Sequence, residues 1–213
     1  MEFPHLLNLL KYNQFDTIYH EHFSYLSLYA VDQIFNKHGL VIYDVEELST
    51  HGGSLRIYAS HSGSGFLRTS AVEEILYKEK KAGLDNLTGY KGLQHSAQKI
   101  KYDFMNFLLN ANREGKKVAA YGAAAKGNTL LNFCGVKNDL IKFVVDAAPS
   151  KQGKFLPGSH VPIVSEPNIK IFKPDYIVIF PWNIKEEIMS QLNYVEEWGC
   201  KFVVAIPEVV VLS

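Results

Sequence analysis

Residues 118–129 read VAAYGAAAKGNT, and this stretch decides the fold of the second half of the chain. The short apolar run Val118 to Tyr121 leads into a turn of small residues and then into a helix that begins near Lys126. Glycine permits a tight turn, and backbone N–H groups at the start of a helix can bind phosphate. The stretch matches neither the complete dinucleotide motif nor the P-loop, because Lys126 precedes its glycine. It predicts a strand–turn–helix unit, with phosphate binding and close helix–strand packing as alternative reasons for the small residues.

Three more apolar runs follow, at intervals that leave room for helices between them. The runs are residues 141–145, 176–180 and 202–206. Charged helical patterns occupy residues 71–83 and 94–113, and a further helix is predicted over 183–198. Alternation of buried strands with helices is typical of a parallel sheet covered on both faces. We therefore predict an α/β, Rossmann-like parallel sheet with flanking helices over residues 67–213.

The first 62 residues show a different pattern. Their predicted elements are one helix and two strands, at residues 26–39, 40–45 and 54–59. These elements bury too little apolar surface to form a core by themselves, so we expect the end of a domain whose beginning is not in the chain. The small polar residues at 60–65 mark the predicted boundary between a domain remnant, 1–62, and a second domain, 67–213.

The composition is that of an ordinary globular protein and excludes several classes of function. The 213 residues are 47% hydrophobic, and Lys plus Arg and Asp plus Glu number 22 each. A net charge of zero disfavours bulk capture of nucleic acid, and no apolar run is long enough for a membrane span. Two cysteines, Cys134 and Cys200, are too few for a disulfide framework or a four-cysteine zinc site. We expect a cytoplasmic protein with no nucleic-acid or membrane partner.

The densest polar cluster in the sequence is Tyr19, His20, Glu21 and His22, within an aromatic stretch that we expect to be partly buried. Histidine and glutamate are ligands that zinc or iron accepts, but no third ligand follows at a recognisable spacing. A structural role, with the histidines satisfied by backbone groups near a helix start, is the second possibility. Because histidine titrates near neutral pH, general acid–base catalysis is the third, and the residue types favour it.

A second candidate site is formed by His51, Gly52, Gly53 and Ser54, between two predicted strands. Paired glycines allow a positive φ and a close approach of the backbone to a ligand. The same residues also fit an ordinary β-turn, which the spacing alone favours.

The third candidate site combines the small-residue turn with residues that follow the second apolar run. Asp146 comes 24 residues after Gly122, near the position where a dinucleotide fold holds ribose hydroxyls. Lys151 lies in a long loop, where it fits a phosphate or sugar contact or a solvated turn. The candidate ligand-binding residues of this site are Tyr121, Gly122, Ala123, Lys126, Gly127, Asn128, Asp146 and Lys151.

Four stretches occur in an order that resembles the sugar-nucleotide C-methyltransferases of deoxysugar biosynthesis. They are residues 15–22, 51–56, 121–132 and 151–153, and the resemblance covers essentially the whole chain. That family has a zinc-binding domain, a central S-adenosylmethionine domain of Rossmann type and a C-terminal Rossmann-like domain. The resemblance implies that residues 1–62 end the S-adenosylmethionine domain and that 67–213 form the C-terminal domain. The zinc cysteines and the main S-adenosylmethionine loop are then expected outside this chain.

The reaction implied by this resemblance is methyl transfer to a carbon beside the ketone of a dTDP-4-keto-deoxysugar. Such a carbon must lose a proton to a base, and a hydrogen-bond donor must stabilise the enolate oxygen. By resemblance, His22 is the base and Tyr19 and Glu21 assist it. The substrate-binding residues implied beside the third site are His20, His51, Gly52, Gly53 and Ser54, with Lys126 lining the same cleft.

Two alternatives stay open at this point: a non-catalytic module that binds a nucleotide or nucleotide sugar, and an NAD(P)-linked enzyme. The chain by itself is expected to be an inactive part of the methyltransferase, and a monomer or weak homodimer.

Overall fold

The computed structural model describes residues 1–212, which divide by their contacts into two compact units. The first unit contains residues 1–15 and 20–95, and the second contains 16–19 and 96 onward. The predicted domain limits, 1–62 and 67–213, stay a prediction. The contacts within the chain divide it at other residues, because the helix that follows residue 69 packs on the sheet of the first unit.

A three-stranded antiparallel sheet in the order β1-β3-β2 forms the basis of the first unit. The elements of this unit in chain order are β1 (Glu2–Pro4), α1 (Leu6–Lys11), α2 (Leu28–Lys37), β2 (Leu40–Leu48), β3 (Ser54–His61) and α3 (Ser70–Lys81). The longest pairing is that of β2 with β3, from Leu40 opposite His61 to Leu48 opposite Ser54. The predicted helix, strand and strand are confirmed, whereas the sequence pattern did not predict β1 or α1.

Helix α2 shows why these residues fold locally as they do. The Ser27 side chain accepts a hydrogen bond from the Ala30 N–H and so caps the start of the helix. Gly39, with φ of +70°, turns the chain out of the helix into β2. Leu28 and Val31 pack on the sheet together with Val72 of α3, so both helices share one hydrophobic core with the strands.

The second unit contains a six-stranded sheet in the order β6-β5-β4-β7-β8-β9. Its strands are β4 (Val118–Tyr121), β5 (Val144–Val145), β6 (Ile163–Val164), β7 (Tyr176–Ile179), β8 (Lys201–Val204) and β9 (Val210–Leu212). Every neighbouring pair is parallel except β8 with β9, which is antiparallel. The α/β, Rossmann-like prediction is confirmed, and the sheet gains β6 and β9 beyond the four predicted strands.

Helices cover both faces of this sheet. They are α4 (Leu93–Arg113), α5 (Ala125–Cys134), α6 (Pro167–Phe172) and α7 (Lys185–Gln191). Ile169 of α6 and Ile188 of α7 share a core with Ile177 of β7. Its neighbour Tyr176 points to the opposite face, since strand side chains alternate, and packs edge-on against Phe107 of α4. Among the described residues, no helix is both long enough and apolar enough to cross a membrane.

Two predicted elements are shorter in the structure than in the sequence pattern. Of the run 141–145, only Val144–Val145 forms the strand β5. The Ile141 N–H donates to the Lys137 carbonyl in a turn, whereas the Lys142 N–H and the Phe143 carbonyl still bond to β4. The single helix predicted over 183–198 is divided into the 3-10 helix Trp182–Ile184, α7, and the 3-10 helix Asn193–Trp198. Asparagine is a poor residue for a helix interior, which is consistent with the break after α7.

Candidate functional site

Three parallel strands of the second unit end at the same level. Tyr121, the last residue of β4, pairs with Val145 of β5 and with Ile179 of β7. The residues that follow these three strands therefore meet at one edge of the sheet, which we call the carboxyl edge. Open parallel sheets bind their ligands outside the carboxyl ends of the strands, which makes this edge the candidate ligand site of the unit.

The turn after β4 is fixed by a close approach to the turn after β7. Gly122 has φ of +91°, and its N–H donates a 2.7 Å hydrogen bond to the Val145 carbonyl. A Cβ atom on this glycine would stand 2.5 Å from ring carbons of Pro181. Gly127, in the first turn of α5, is packed just as tightly against the ring of Phe180. These contacts support close packing as one reason for the small residues.

The charged residues predicted on the neighbouring turn are paired with each other. Asp146 is buried, and one of its carboxylate oxygens accepts from the Ala148 N–H at 2.9 Å. Its other oxygen lies 3.0 Å from the Lys151 ammonium. Lys151 also donates to the Ala123 carbonyl at 3.0 Å, so it ties the loop after β5 to the turn after β4. A role for Asp146 or Lys151 in binding sugar hydroxyls or phosphate stays a prediction.

Lys126 supplies a cation at the carboxyl edge. Its ammonium donates a 2.8 Å hydrogen bond to the Asn183 side-chain oxygen and lies 4.2 Å from the centre of the Trp182 ring. An ammonium over an indole face is attracted by the negative potential of the ring. Burial lowers the pKa of Lys126, while the nearby Asp16 carboxylate opposes that shift.

Asp16 is the buried acid beside this cation, and it belongs to the second unit through the segment 16–19. The residue is 1% exposed, and its Oδ2 accepts a 2.8 Å hydrogen bond from the indole N–H of Trp182. Among the described residues, its Oδ1 is buried without a hydrogen-bond partner. Burial raises the pKa of Asp16 to about 6, against the opposing effects of the Trp182 hydrogen bond, the Lys126 charge and nearby backbone N–H groups.

Two predicted site residues of this unit make structural contacts within it. Tyr121 is buried in the core on the α6–α7 face, and its hydroxyl donates a 3.3 Å hydrogen bond to Gln191. Asn128, inside α5, accepts through its backbone and side-chain oxygens from the Asn132 amide. Contact of either residue with a ligand stays a prediction.

The Tyr19–His22 cluster lies in a turn between two helices. Tyr19 and His22 are half-buried, whereas His20 and Glu21 are exposed. The His22 ring meets the Tyr25 ring edge-on, with 6.3 Å between the centroids. Tyr19 belongs to the second unit and His20–His22 to the first.

The expected burial of the residues around this cluster is only partly right. Phe15 is buried and Tyr25 half-buried, but Ile18 is 43% exposed and Phe23 is 94% exposed. The stretch is thus buried in part, with Phe23 as the clear exception. The exposed Phe23 ring places apolar surface next to His22 in the sequence.

Within residues 1–212, no group of three or more His, Cys, Asp or Glu side chains is arranged to hold a metal ion. Both cysteines are buried and free, and burial raises the pKa of Cys134 and of Cys200 to about 12.

The His51–Ser54 candidate site is a tight turn that the first unit stabilises from within. His51 is exposed with φ of +56°, and Gly53 has φ of +117° with its backbone against the side chain of Asn8. The buried Ser54 hydroxyl donates to the Thr50 carbonyl at 3.1 Å. These contacts agree with the turn interpretation, while a ligand role for His51, Gly52 and Gly53 stays a prediction.

One bond links this turn to the segment that precedes the Tyr19–His22 cluster. The Gln14 side-chain amide donates a 2.8 Å hydrogen bond to the Gly52 carbonyl. The two candidate stretches of the first 62 residues are therefore linked through Gln14, a residue that no sequence motif marks.

Comparison with known proteins places this architecture in a family. Residues 49–207 match the family model described as the C-methyltransferase C-terminal domain. The chain belongs to the C-methyltransferase family. Over all 213 of its residues it is 38% identical to the C-methyltransferase NovU of Streptomyces niveus, and the match covers 100% of this chain and 51% of NovU. The chain therefore spans about half the length of the curated relative that it matches, and the C-methyltransferase resemblance seen in the sequence is confirmed.

Membership in this family implies S-adenosylmethionine as the methyl donor of the full-length enzyme. The described residues of the first unit do not form a site for it by themselves. The three strands are antiparallel neighbours, and β1 passes into α1 through His5 alone, without the glycine-rich turn that such a cofactor needs.

Sequence reasoning missed three members of the carboxyl edge: Asp16, Trp182 and Asn183. Trp182 and Asn183 follow β7 closely, so the rule that parallel strands end at one edge could have found them. Asp16 carried no such signal, because only the folded chain brings the segment 16–19 into the second unit.

Proposed function

We propose that this chain is the C-terminal, substrate-binding part of a C-methyltransferase that acts on a nucleotide-linked keto sugar, with a dTDP-4-keto-deoxysugar as the substrate. The similarity to NovU over the whole chain is the single observation that carries this proposal. The methyl donor, S-adenosylmethionine, is placed on the part of the enzyme that NovU has and this chain does not span. The zinc of the family is proposed to bind in that part as well.

The proposed task of His22 is to remove a proton from the sugar carbon beside the ketone. The C–H bond breaks and the proton moves to an imidazole nitrogen. The C–H electron pair forms the new C=C bond, and the π pair of the ketone moves onto its oxygen, which gives the enolate. Half-burial leaves the His22 ring accessible while the Tyr25 ring limits its movement. Tyr19 and Glu21 are proposed to hydrogen-bond the sugar or relay the proton, and a donor near the ketone oxygen stabilises the enolate.

The proposed nucleotide site is the carboxyl edge of the second unit. Lys126 presents a cation there, and the first turn of α5 begins directly after the Gly122 turn. A diphosphate would gain from that charge and from the N–H groups of the first helical turn. Sugar or ribose hydroxyls that bind Asp146 or Lys151 would have to compete with the ion pair that these two side chains form with each other.

A ligand-binding experiment on the 213-residue chain tests this proposal. The thermal stability of the chain is measured with a dTDP-sugar, with dTDP and with NADH. Stabilisation by the dTDP compounds and none by NADH is the expected result, because a ligand that binds only the folded state raises the melting temperature. A shift with NADH alone would replace the methyltransferase proposal by the NAD(P)-linked alternative.

A substitution at Lys126 tests whether the nucleotide binds at the carboxyl edge. Lys126→Met should lose about tenfold in affinity for the dTDP-sugar, since one charge-assisted contact to phosphate is removed. Lys142→Met, a lysine of the same unit that donates to the Asp139 carbonyl, is the matched control and should bind as the wild type does. Equal loss in both variants would place the nucleotide elsewhere.

A non-catalytic nucleotide-sugar-binding module is the remaining alternative, and a binding experiment does not distinguish it from the enzyme. A measurement of proton exchange on the sugar distinguishes the two. If the chain performs the deprotonation step, the hydrogen on the sugar carbon beside the ketone should exchange with deuterium from the solvent, which NMR detects without any methyl donor.

A further inference from the structure

Asp16 is a buried acid that the proposed reaction does not use. It lies in the 3-10 helix Phe15–Thr17, directly before the Tyr19–His22 cluster. Solvent reaches only 1% of the residue, yet its Oδ1 lacks a hydrogen-bond partner among the described residues. Burying a carboxyl group that is only half satisfied costs free energy, so its position calls for a physical reason.

Trp182 connects this acid to the cation of the carboxyl edge. The edge of the indole donates its N–H to Asp16 Oδ2 at 2.8 Å, and the face of the same ring lies 4.2 Å from the Lys126 ammonium. Asn183, the next residue, accepts from that ammonium at 2.8 Å. Side chains from three separate parts of the chain thus form one stacked arrangement, which we call the Asp16–Trp182–Lys126 stack.

We propose that Asp16 is a positioning residue: by holding the indole of Trp182 it fixes the place of the Lys126 ammonium, and by its charge it sets how strongly that ammonium attracts a nucleotide diphosphate. This inference rests on the proposed function in one respect, the nature of the anion. The stack itself does not depend on which ligand the carboxyl edge takes.

The groups around Asp16 determine whether the affinity for an anion rises or falls with pH. The charged group that acts on Asp16 from a packed element is Lys126 of α5, while Trp182 and the backbone N–H groups of the 3-10 helix are neutral. When Asp16 gains a proton as the pH falls through about 6, its negative charge disappears and the Lys126 charge is no longer opposed. The affinity for an anion at this edge should therefore rise as the pH falls.

Tryptophan emission tests the stack without any ligand. The chain has two tryptophans, and Trp198→Phe leaves Trp182 as the only emitter. In that background, Trp182 emission should change in one step with a midpoint near pH 6, and the step should vanish in Asp16→Asn. Asp139→Asn, which changes an exposed acid of the same unit, should keep the step. A step that persists in Asp16→Asn would overturn the proposal.

Binding of a nucleotide sugar tests the effect on the ligand. Each of its phosphates has one ester and one anhydride linkage and therefore lacks the second ionisation near pH 6 of a terminal phosphate, so the ligand keeps its charge across the titration. The wild type should bind about threefold to tenfold more tightly at pH 5.5 than at pH 7.5. Asp16→Asn, which keeps an oxygen for the indole N–H but has no charge, should bind tightly at both pH values.

Asp16→Ala separates anchoring from charge. It removes the acceptor as well as the charge, so Trp182 loses its anchor and affinity should fall below that of Asp16→Asn at both pH values. Equal affinities of the wild type, Asp16→Asn and Asp16→Ala would overturn the inference. No binding of any nucleotide sugar would overturn the proposed function and the ligand part of the inference together, whereas the emission step would then still support the stack.

Discussion

The Glu79 carboxylate accepts a 2.7 Å hydrogen bond from Nε2 of His5, a residue 74 positions earlier in the chain, and both side chains are fully buried. The same carboxylate accepts 2.7 Å hydrogen bonds from the backbone N–H groups of Leu28 and Tyr29. These are the first two residues of α2, so a side chain of α3 caps the helix that follows the Tyr19–His22 cluster. Glu79 thereby holds the start of α2 in place, and with it the end of the loop that follows His22.

Loss of this carboxylate should destabilise the first unit. Glu79→Ala leaves the His5 and backbone donors buried without an acceptor, and we expect a loss of about 3 kcal/mol or more in the free energy of unfolding. Urea unfolding measures it. Glu74→Ala, on the exposed side of the same helix, is the matched control and should change the free energy by about 0.5 kcal/mol or less. Equal effects of the two substitutions would contradict the capping role.

The turn after β4 should not tolerate a side chain. Gly122→Ala adds a Cβ 2.5 Å from Pro181 at φ of +91°, so steric overlap adds to the cost of a left-handed conformation. We expect about 3 kcal/mol of destabilisation in urea unfolding. Gly135→Ala has a similar φ of +79° but meets no atom within 4 Å, and it should cost only about 1 kcal/mol. A Gly122 variant no worse than the Gly135 variant would refute the tight contact.

Asp16 should make the chain less stable as the pH rises. Its pKa in the folded state, about 6, lies above the ordinary 3.8, so the folded state binds the proton more tightly than the unfolded state does. Stability from this group is therefore present below about pH 4 and is lost as the pH rises through about 6.

Comparison with Asp16→Asn isolates this group from all others that titrate. The variant should be more stable than the wild type at pH 7.5, by about 1 to 3 kcal/mol, because it does not bury a charge. The difference should shrink towards zero near pH 4. Urea unfolding of both proteins across this range measures it, and a difference that is constant with pH would show that Asp16 keeps an ordinary pKa.

The proposed base can be tested by proton exchange. With a dTDP-4-keto-deoxysugar in deuterated buffer, His22→Asn should slow exchange at the carbon beside the ketone by about 100-fold or more while the affinity for the sugar nucleotide is kept. His38→Asn is the matched control, since His38 is an exposed histidine of the same unit that lies outside the candidate sites. Equal rates in the wild type and His22→Asn would remove His22 from this role.

Much of the fold could be predicted from local patterns. The run VAAYGAAAKGNT specifies β4, the Gly122 turn and α5 because strand, positive-φ turn and helix are all local preferences. Elements of two or three residues, such as β1, β6 and β9, escaped prediction. Their pairing partners stabilise them, and their own sequence gives too weak a signal.

The residues of the candidate site also differ in how far the sequence could predict them. Lys126 was singled out by its place at a helix start, Asp146 by its spacing from Gly122, and Lys151 by its long loop after a strand. Phe23 belongs to a stretch that was expected to be partly buried, yet it is 94% exposed, since hydrophobicity alone does not say which residues the folded chain will cover.

The sequence by itself determined that this chain is an α/β protein of the C-methyltransferase family, because hydrophobic periodicity and the order of motifs are properties of the local sequence. Only the tertiary structure decided that Asp16 meets Trp182, 166 residues away, and that Glu79 caps α2. Such contacts depend on where buried polar groups find partners once water is excluded. That condition arises from the whole packed chain, and no local pattern encodes it.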